Sequence, residues 1–341
     1  EKLGLIELVQ AMSYNAKCNY NDTFGMVKYW ETIIYNFLKE QNIQTPPQKM
    51  SREKTSRIIG AYVKEPLVGG HNWVVSFDLN SLYPHIIMQH NISPEKMFKG
   101  VKEEVSINSM LNKEVNLDFL KEQNMTVCPN GTKFTRDRQG FLPELMEKFY
   151  DERKAWKKKM IEYQIERESC KDTKRRRELD TLIKRANNNQ MVRKIALNSA
   201  YGALANQYFA FFSVDLAEAI TTSGQLIIQW AEKTINDFMN KTLGTDEDYV
   251  IAMDTDSVYI TMDKLVQQVL PEETDKTKII DFLNNSEGMF EKVLSDGFDE
   301  LAEYTNAFQN KMEMGREIIA DRGIWTAKKR YILNVHDDEG V

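Results

Sequence analysis

Apolar residues keep a helical period at two places early in the chain, first at Leu5, Leu8, Val9 and Met12, then at Val27, Trp30, Ile34 and Phe37. That spacing predicts two amphipathic helices. Pro46-Pro47 breaks the pattern, and a polar linker runs to about Arg57. Apolar runs at 59–66 and 71–78 predict strands, with Gly69-Gly70 between them. Residues 101–127 are polar and predict no definite element. Asn130-Gly131 is a two-residue hairpin signal, with 125–128 and 132–135 as its arms. Good helix formers fill 142–169 and 178–203, which predicts two long helices joined by a turn at 172–177. A helix at 216–238, short strands at 249–253 and 258–262, a helix at 280–304 and a last strand at 330–335 complete the pattern. No internal repeat or low-complexity tract interrupts it.

Composition narrows the class. The chain has 341 residues, 42% apolar and 28% charged, enough for two or three compact units with real cores. No run approaches the length of a membrane span. Cys18, Cys128 and Cys170 are odd in number and far apart, which excludes a disulfide framework and a paired-cysteine zinc site and points to a reduced, cytosolic setting. Cys128, His71, His90 and His336 read as core or surface residues. Because residue 1 is Glu, the chain is expected to be a piece of something longer.

A net charge of −6 argues against a nucleic-acid partner until the charge is located. Between Lys148 and Lys194 there are 16 Lys/Arg against 8 Asp/Glu, so this stretch is near +8 and the remainder near −14. The run is either a solvated helical hairpin or an arm that grips phosphate. Lys194, Asn198 and Tyr201 fall on one helical face at i, i+4, i+7, and Arg153 and Lys157 share another at i, i+4. These stripes suit a triphosphate, a sugar and a base, or are surface side chains with extended stems.

Two acidic sites stand in apolar surroundings. A strand-like run ends at Asp78, with a turn expected at Pro84, and Asp254 and Asp256 lie at i, i+2 in a tight turn between apolar strands. A lone strand-end Asp is usually a cap. Clustered carboxylates repel and resist burial unless a cation neutralises them. All-oxygen ligand sets suit Mg²⁺, and three such carboxylates can hold two ions for in-line phosphoryl transfer.

These residues resemble motifs of one family. The run Asp78-Leu79-Asn80-Ser81-Leu82-Tyr83-Pro84-His85-Ile86-Ile87 resembles motif A (DxxSLYPSII) of family B DNA polymerases. Lys194-Ile195-Ala196-Leu197-Asn198-Ser199-Ala200-Tyr201-Gly202 resembles motif B, Asp254-Thr255-Asp256-Ser257 resembles motif C, and Lys328-Lys329-Arg330-Tyr331 resembles the KKRY motif. Residues 60–66 resemble the segment leading into the palm. The order and spacing agree, and the likeness covers nearly the whole chain. Between motifs the wording is most similar to replicative polymerases of T-even-type tailed phages.

The resemblance implies an α+β fold, a polymerase palm of antiparallel sheet backed by helices, with an inserted antiparallel two-helix fingers subdomain. Its divisions would be a helical remnant at 1–58 linking an exonuclease region to the palm, a first palm segment at 59–141, fingers at 142–203 and a second palm segment at 204–341. Exonuclease acids and thumb would lie outside the chain. Template-directed DNA synthesis is the activity implied, with dNTPs and primer–template DNA as partners and two Mg²⁺, replaceable by Mn²⁺, as cofactors. Asp78, Asp254, Asp256 and the Leu79 carbonyl would hold the metals, with Glu317 in support. Arg153, Lys157 and Lys194 would hold the triphosphate together with the Ser81 and Leu82 backbone. Asn198 and Tyr201 would line the nascent pair, and Tyr83 would exclude a 2′-hydroxyl. Lys328, Lys329, Arg330 and Tyr331 would hold the primer–template backbone. The setting implied is cytoplasmic, in a host cell if phage-encoded, with no membrane partner. A non-catalytic DNA-binding fragment, or one chain of a split polymerase completed by a thumb- or clamp-binding region, are the alternatives. His85 departs from the usual Ser, and Ala252-Met253 replace Tyr-Gly before Asp254, which predicts a shifted hairpin.

Overall fold

The computed structural model describes residues 4–46, 58–271, 273 and 275–338. Beyond Pro46 and up to Arg57, the predicted linker lies outside the described residues. In chain order the first half contains α1 (Leu5–Ala16), α2 (Met26–Glu40), β1 (Gly69–Leu79), α3 (Leu82–Gln89), α4 (Ile107–Leu111), α5 (Phe119–Gln123), β2 (Met125–Val127), β3 (Lys133–Thr135) and α6 (Phe141–Ser169). The second half contains α7 (Thr173–Leu204), α8 (Val214–Leu243), β4 (Val250–Asp254), β5 (Ser257–Thr261), α9 (Asp263–Val269), α10 (Lys276–Tyr304), β6 (Met314–Ala327) and β7 (Arg330–Asp338). Two compact units divide these elements.

The first unit comprises Glu1–Ile58, Ile92–Lys96 and Arg138–Ala217. Helices α6 and α7 pack along one another. Ion pairs cross between them, Arg193 to Glu152 and Arg175 to Glu166, both at 2.9 Å, and Arg167 to Asp180. The turn between them is Cys170–Asp172, shorter than the sequence pattern predicts. The Asp172 carboxylate accepts from the Lys174 amide at 2.9 Å and caps α7, so residues 173–177 are already helical. Helices α1 and α2 pack against α7 through buried Met12, Tyr29, Trp30 and Ile34. The Trp30 indole donates to the Ser199 hydroxyl at 3.1 Å, which fixes the rotation of α7 about its axis.

The second unit comprises Ile59–Asn91, Met97–Asp137 and Glu218–Val341. Its main sheet runs β4-β5-β1-β6-β7 with every neighbour antiparallel. The predicted hairpin at Asn130-Gly131 forms the separate β2–β3 pair. Helices α8 and α10 cover one face of the main sheet. Phe290 of α10 meets Phe77 of β1 at 5.9 Å and Phe238 of α8 at 5.6 Å between ring centroids. On the other face Val74, Ala252, Tyr259, Ala320 and Trp325 form a second apolar cluster.

Two further expectations are corrected, and one strand goes unpredicted. Residues 59–66 are not a ladder strand. They run beside β4 with amide bonds from Lys64 to Met253 and from Leu67 to Ile251, and one bridge at Val63–Asp254. Pro66 has no N–H, so regular pairing cannot continue. The turn expected at Pro84 is instead the start of α3, because proline in a first helical turn removes only an N–H that has no helical partner. Strand β6 escapes the pattern because Arg316, Glu317, Asp321 and Arg322 interrupt its apolar run.

Among the described residues no helix is long and apolar enough to cross a membrane. Helices α8 and α10 approach closely at Gly297, whose carbonyl accepts from the Trp230 indole at 2.8 Å. A Cβ there would lie 2.8 Å from Thr234 Oγ1. Gly297→Ala is therefore expected to destabilise the unit by about 1–2 kcal/mol despite alanine's better helix propensity, and Thr234→Ala is expected to restore most of that loss in chemical denaturation.

Candidate active site

Strand β1 is buried from Val74 to Phe77 and emerges at the half-buried Asp78. Its register places Asp78 opposite Ser257 of β5 and opposite Gly315 of β6. The turn that joins β4 to β5 carries Asp254, Thr255 and Asp256, and the Leu79 amide donates to the Asp256 carbonyl at 2.9 Å. Adjacent strands thus bring three carboxylates to one end of the sheet. The Ser257 hydroxyl donates to Asp78 Oδ1 at 2.7 Å. Asp254 Oδ1 accepts from Thr255 Oγ1 at 3.0 Å and pairs with Lys329 Nζ at 3.1 Å.

Asp256 bears the electrostatic cost. Burial, then the charges of Asp78, Asp254 and Glu317, push its carboxyl up to about 6. Glu317 reaches this environment through a β-bulge. Ser76 pairs with Ile318 and Phe77 with Arg316, so Glu317 is the extra residue in β6. Among the described residues no three His, Cys, Asp or Glu side chains converge within range of one metal ion. The donor chemistry nevertheless fits a hard divalent cation, since the candidate ligands are all oxygens and a proton is favoured where positive charge is short.

The left-handed turn position is Thr255 at φ 60°, not Met253. Met253 is buried and pairs with Val258 in register, so glycine's freedom is not needed there. His85 is also buried, with its ring Nδ1 on the Asn80 carbonyl and its pKa lowered by burial. Ser81 precedes α3 in a left-handed conformation, φ 49°. The half-buried Tyr83 ring lies against α8 at Gly224, where an added Cβ would come 3.4 Å from Cε1. Tyr331 stacks on Trp325 and shares a 2.8 Å hydroxyl contact with Tyr259. Lys328, Lys329 and Arg330 are exposed at the turn between β6 and β7.

Arg153, Lys157, Lys194, Asn198 and Tyr201 belong to the first unit. Lys194 and Asn198 are exposed and Tyr201 half-buried along α7, while Ser199 is turned to Trp30. The Glu152–Arg193 pair sets Arg153 and Lys194 level along the two helices. The carboxylates, Tyr83 and residues 328–331 all lie in the second unit. Residues that sequence reasoning misses include Gly224 and the cluster around Lys64, whose Nζ meets Glu232 and Asp248, each at 2.5 Å, and the Val250 carbonyl at 2.6 Å. Their partners are remote in sequence, and no motif marks them.

The sheet unit thus carries acids at one end, in a chain that also carries a basic helical pair. Residues 26–280 match the sequence profile of DNA polymerase family B, and the chain belongs to that family. It is 34% identical to the DNA-directed DNA polymerase of Enterobacteria phage T4, over 98% of this chain and 42% of that protein. The DNA-directed DNA polymerase of Escherichia phage RB69 is likewise 34% identical, over 100% of this chain and 42% of its own length. A DNA polymerase of Pyrococcus glycovorans is 29% identical over 88% of this chain and 31% of its own length. The chain therefore spans less than half the length of these relatives.

A carboxyl raised in the folded state contributes stability below its unfolded pKa and loses it as pH rises through the folded value. For metal-free protein, Asp256→Asn is expected to raise the melting temperature at pH 7.5 by the equivalent of about 1 kcal/mol, after allowance for solvent screening. The gain should shrink as the pH falls through 6 and vanish only below about pH 4, under the carboxyl's ordinary value. An equal gain at both pH values would show that charge is not the cause.

Proposed function

We propose that the chain carries the nucleotidyl-transfer centre of a template-directed DNA polymerase, with primer–template DNA and dNTPs as substrates and pyrophosphate as the leaving product. The observation that most supports this is the placement of Asp78, Asp254 and Asp256 at one end of the sheet, where burial and the neighbouring carboxylates push the Asp256 carboxyl up to about 6. In this reading the basic helical pair acts as fingers and the sheet unit as palm. A thumb- or clamp-binding region, in the same chain or a second one, is among the proposed partners.

Asp78, Asp256 and the Leu79 carbonyl would hold two Mg²⁺ ions, replaceable by Mn²⁺, with Asp254 at the edge of the set. Such ions, when bound, acidify the primer 3′-hydroxyl and neutralise the departing phosphates. The protein's own groups do the positioning. Ser257 orients Asp78 by donating to one of its oxygens. Arg153, Lys157 and Lys194 take the triphosphate and stabilise charge on the leaving group. The Ser81–Leu82 backbone, at the start of α3, offers amides to its tail. Asn198 and Tyr201 line the nascent pair, so base choice comes from pairing with the template and not from a protein code. Tyr83, backed by Gly224, occupies the space a 2′-hydroxyl would need. Glu317 keeps the local field negative. Lys328, Lys329, Arg330 and Tyr331 meet the primer–template backbone.

Primer extension with Mg²⁺ and four dNTPs tests the reading. Asp256→Ala should lower extension by about a thousandfold or more. Extension by the unaltered chain that is no greater than that of the variant would remove the catalytic claim. Tyr83→Ala should raise the ribonucleotide-to-deoxyribonucleotide incorporation ratio by about 10- to 100-fold. An unchanged ratio would remove Tyr83 from sugar selection.

A further inference from the structure

The three cations at the β6–β7 turn look equivalent in sequence, but they are not equivalent in the structure. Lys328 Nζ lies 2.9 Å from Glu65 Oε1, and Lys329 Nζ lies 3.1 Å from Asp254 Oδ1. Among the described residues no ion pair engages Arg330. Ala327 and Arg330 close the ladder, so Lys328 and Lys329 form the turn itself, with Lys329 left-handed at φ 60°. That conformation is uncommon for a residue with a side chain.

Glu65 is held just as firmly from the other side. It sits between Lys64, which is tied to Glu232, Asp248 and the Val250 carbonyl, and the buried Pro66. The backbone there is bonded to β4 at Met253 and Ile251. Yet the Glu65 side chain is 81% exposed and the Lys328 side chain 43%. Rigid backbones on both sides thus present an open carboxylate to an open ammonium. An exposed pair of this kind is weak enough for a phosphate to displace.

We propose that Glu65 is an internal stand-in for a primer–template phosphate. It parks Lys328 in the DNA-free protein and gives it up when the backbone binds. This rests on the proposed DNA-binding role of Lys328. Binding at that position is then an exchange of anions on one lysine, not the capture of phosphate by a free cation. Glu65 is a positioning residue, since it acts only through Lys328. The exchange weakens DNA binding by the strength of the surface pair, and it holds the lysine extended in the direction it must later face.

The test is fluorescence-anisotropy titration of a primer–template duplex against the unaltered chain, Glu65→Gln, Lys328→Gln and the double variant, at several salt concentrations. Glu65→Gln should tighten binding about two- to fivefold at low salt. The gain should disappear in the Lys328→Gln background. Lys328→Gln alone should weaken binding and lower the slope of log affinity against log salt by about one. Loss of affinity in Lys328→Gln without a gain in Glu65→Gln would overturn the parking role while leaving Lys328 as a DNA contact. An equal gain from Glu65→Gln with and without Lys328 would also overturn it, since only the general loss of a negative charge would then be at work. No effect of Lys328→Gln would overturn the DNA-binding role and the proposal with it. Matching melting temperatures establish that the compared variants are folded.

Discussion

The backbone ladder between β1 and β5 is the interaction on which the site depends. It holds Asp78 opposite Ser257, next in sequence to Asp256, and no side-chain adjustment can undo that register. Like charges forced together in this way cannot relax by moving apart. They relax by taking up positive charge, and the structure displays two responses. Asp254 has a lysine, and Asp256 has a raised affinity for a proton. The many ladder bonds, each worth about 1 kcal/mol net, outweigh the repulsion because they act together across five strands.

The same logic explains the distribution of charge. The basic stretch is the α6–α7 pair, and part of its charge is balanced internally, by Glu152, Glu166 and Asp180 on Arg193, Arg175 and Arg167. Those pairs join the helices. Lys194 and Lys157 remain exposed. Counting cations therefore overstates the charge available to a partner, and the residues that matter are those the packing leaves turned outward. Ser199, turned to Trp30, is the reason Lys194 and Asn198 face away.

Much of this is legible in the sequence, and what is not has a common cause. The carboxylates stand out because apolar runs flank them, and the long helices because few breakers interrupt them. Strand β6 is hidden because its polar residues serve a bulge and ion pairs, and Glu317's aim depends on the register between two strands, which neither strand encodes alone. Glu65 and Lys328 read as separate surface charges, since only the fold brings them together. Met253 misleads in the opposite direction. The turn's special conformation belongs to Thr255, so the bulky neighbour needs no left-handed backbone.

The segment that fails to be a strand has one more effect. Residues 62–67 occupy the outer backbone groups of β4, so the edge that bears Asp254 is covered. The opposite edge is β7, which among the described residues has no further neighbour and exposes Tyr331, Ile332 and Val335. An open edge with apolar side chains is where one chain can template another, so self-association by strand addition would begin at β7 and leave the acidic end of the sheet untouched.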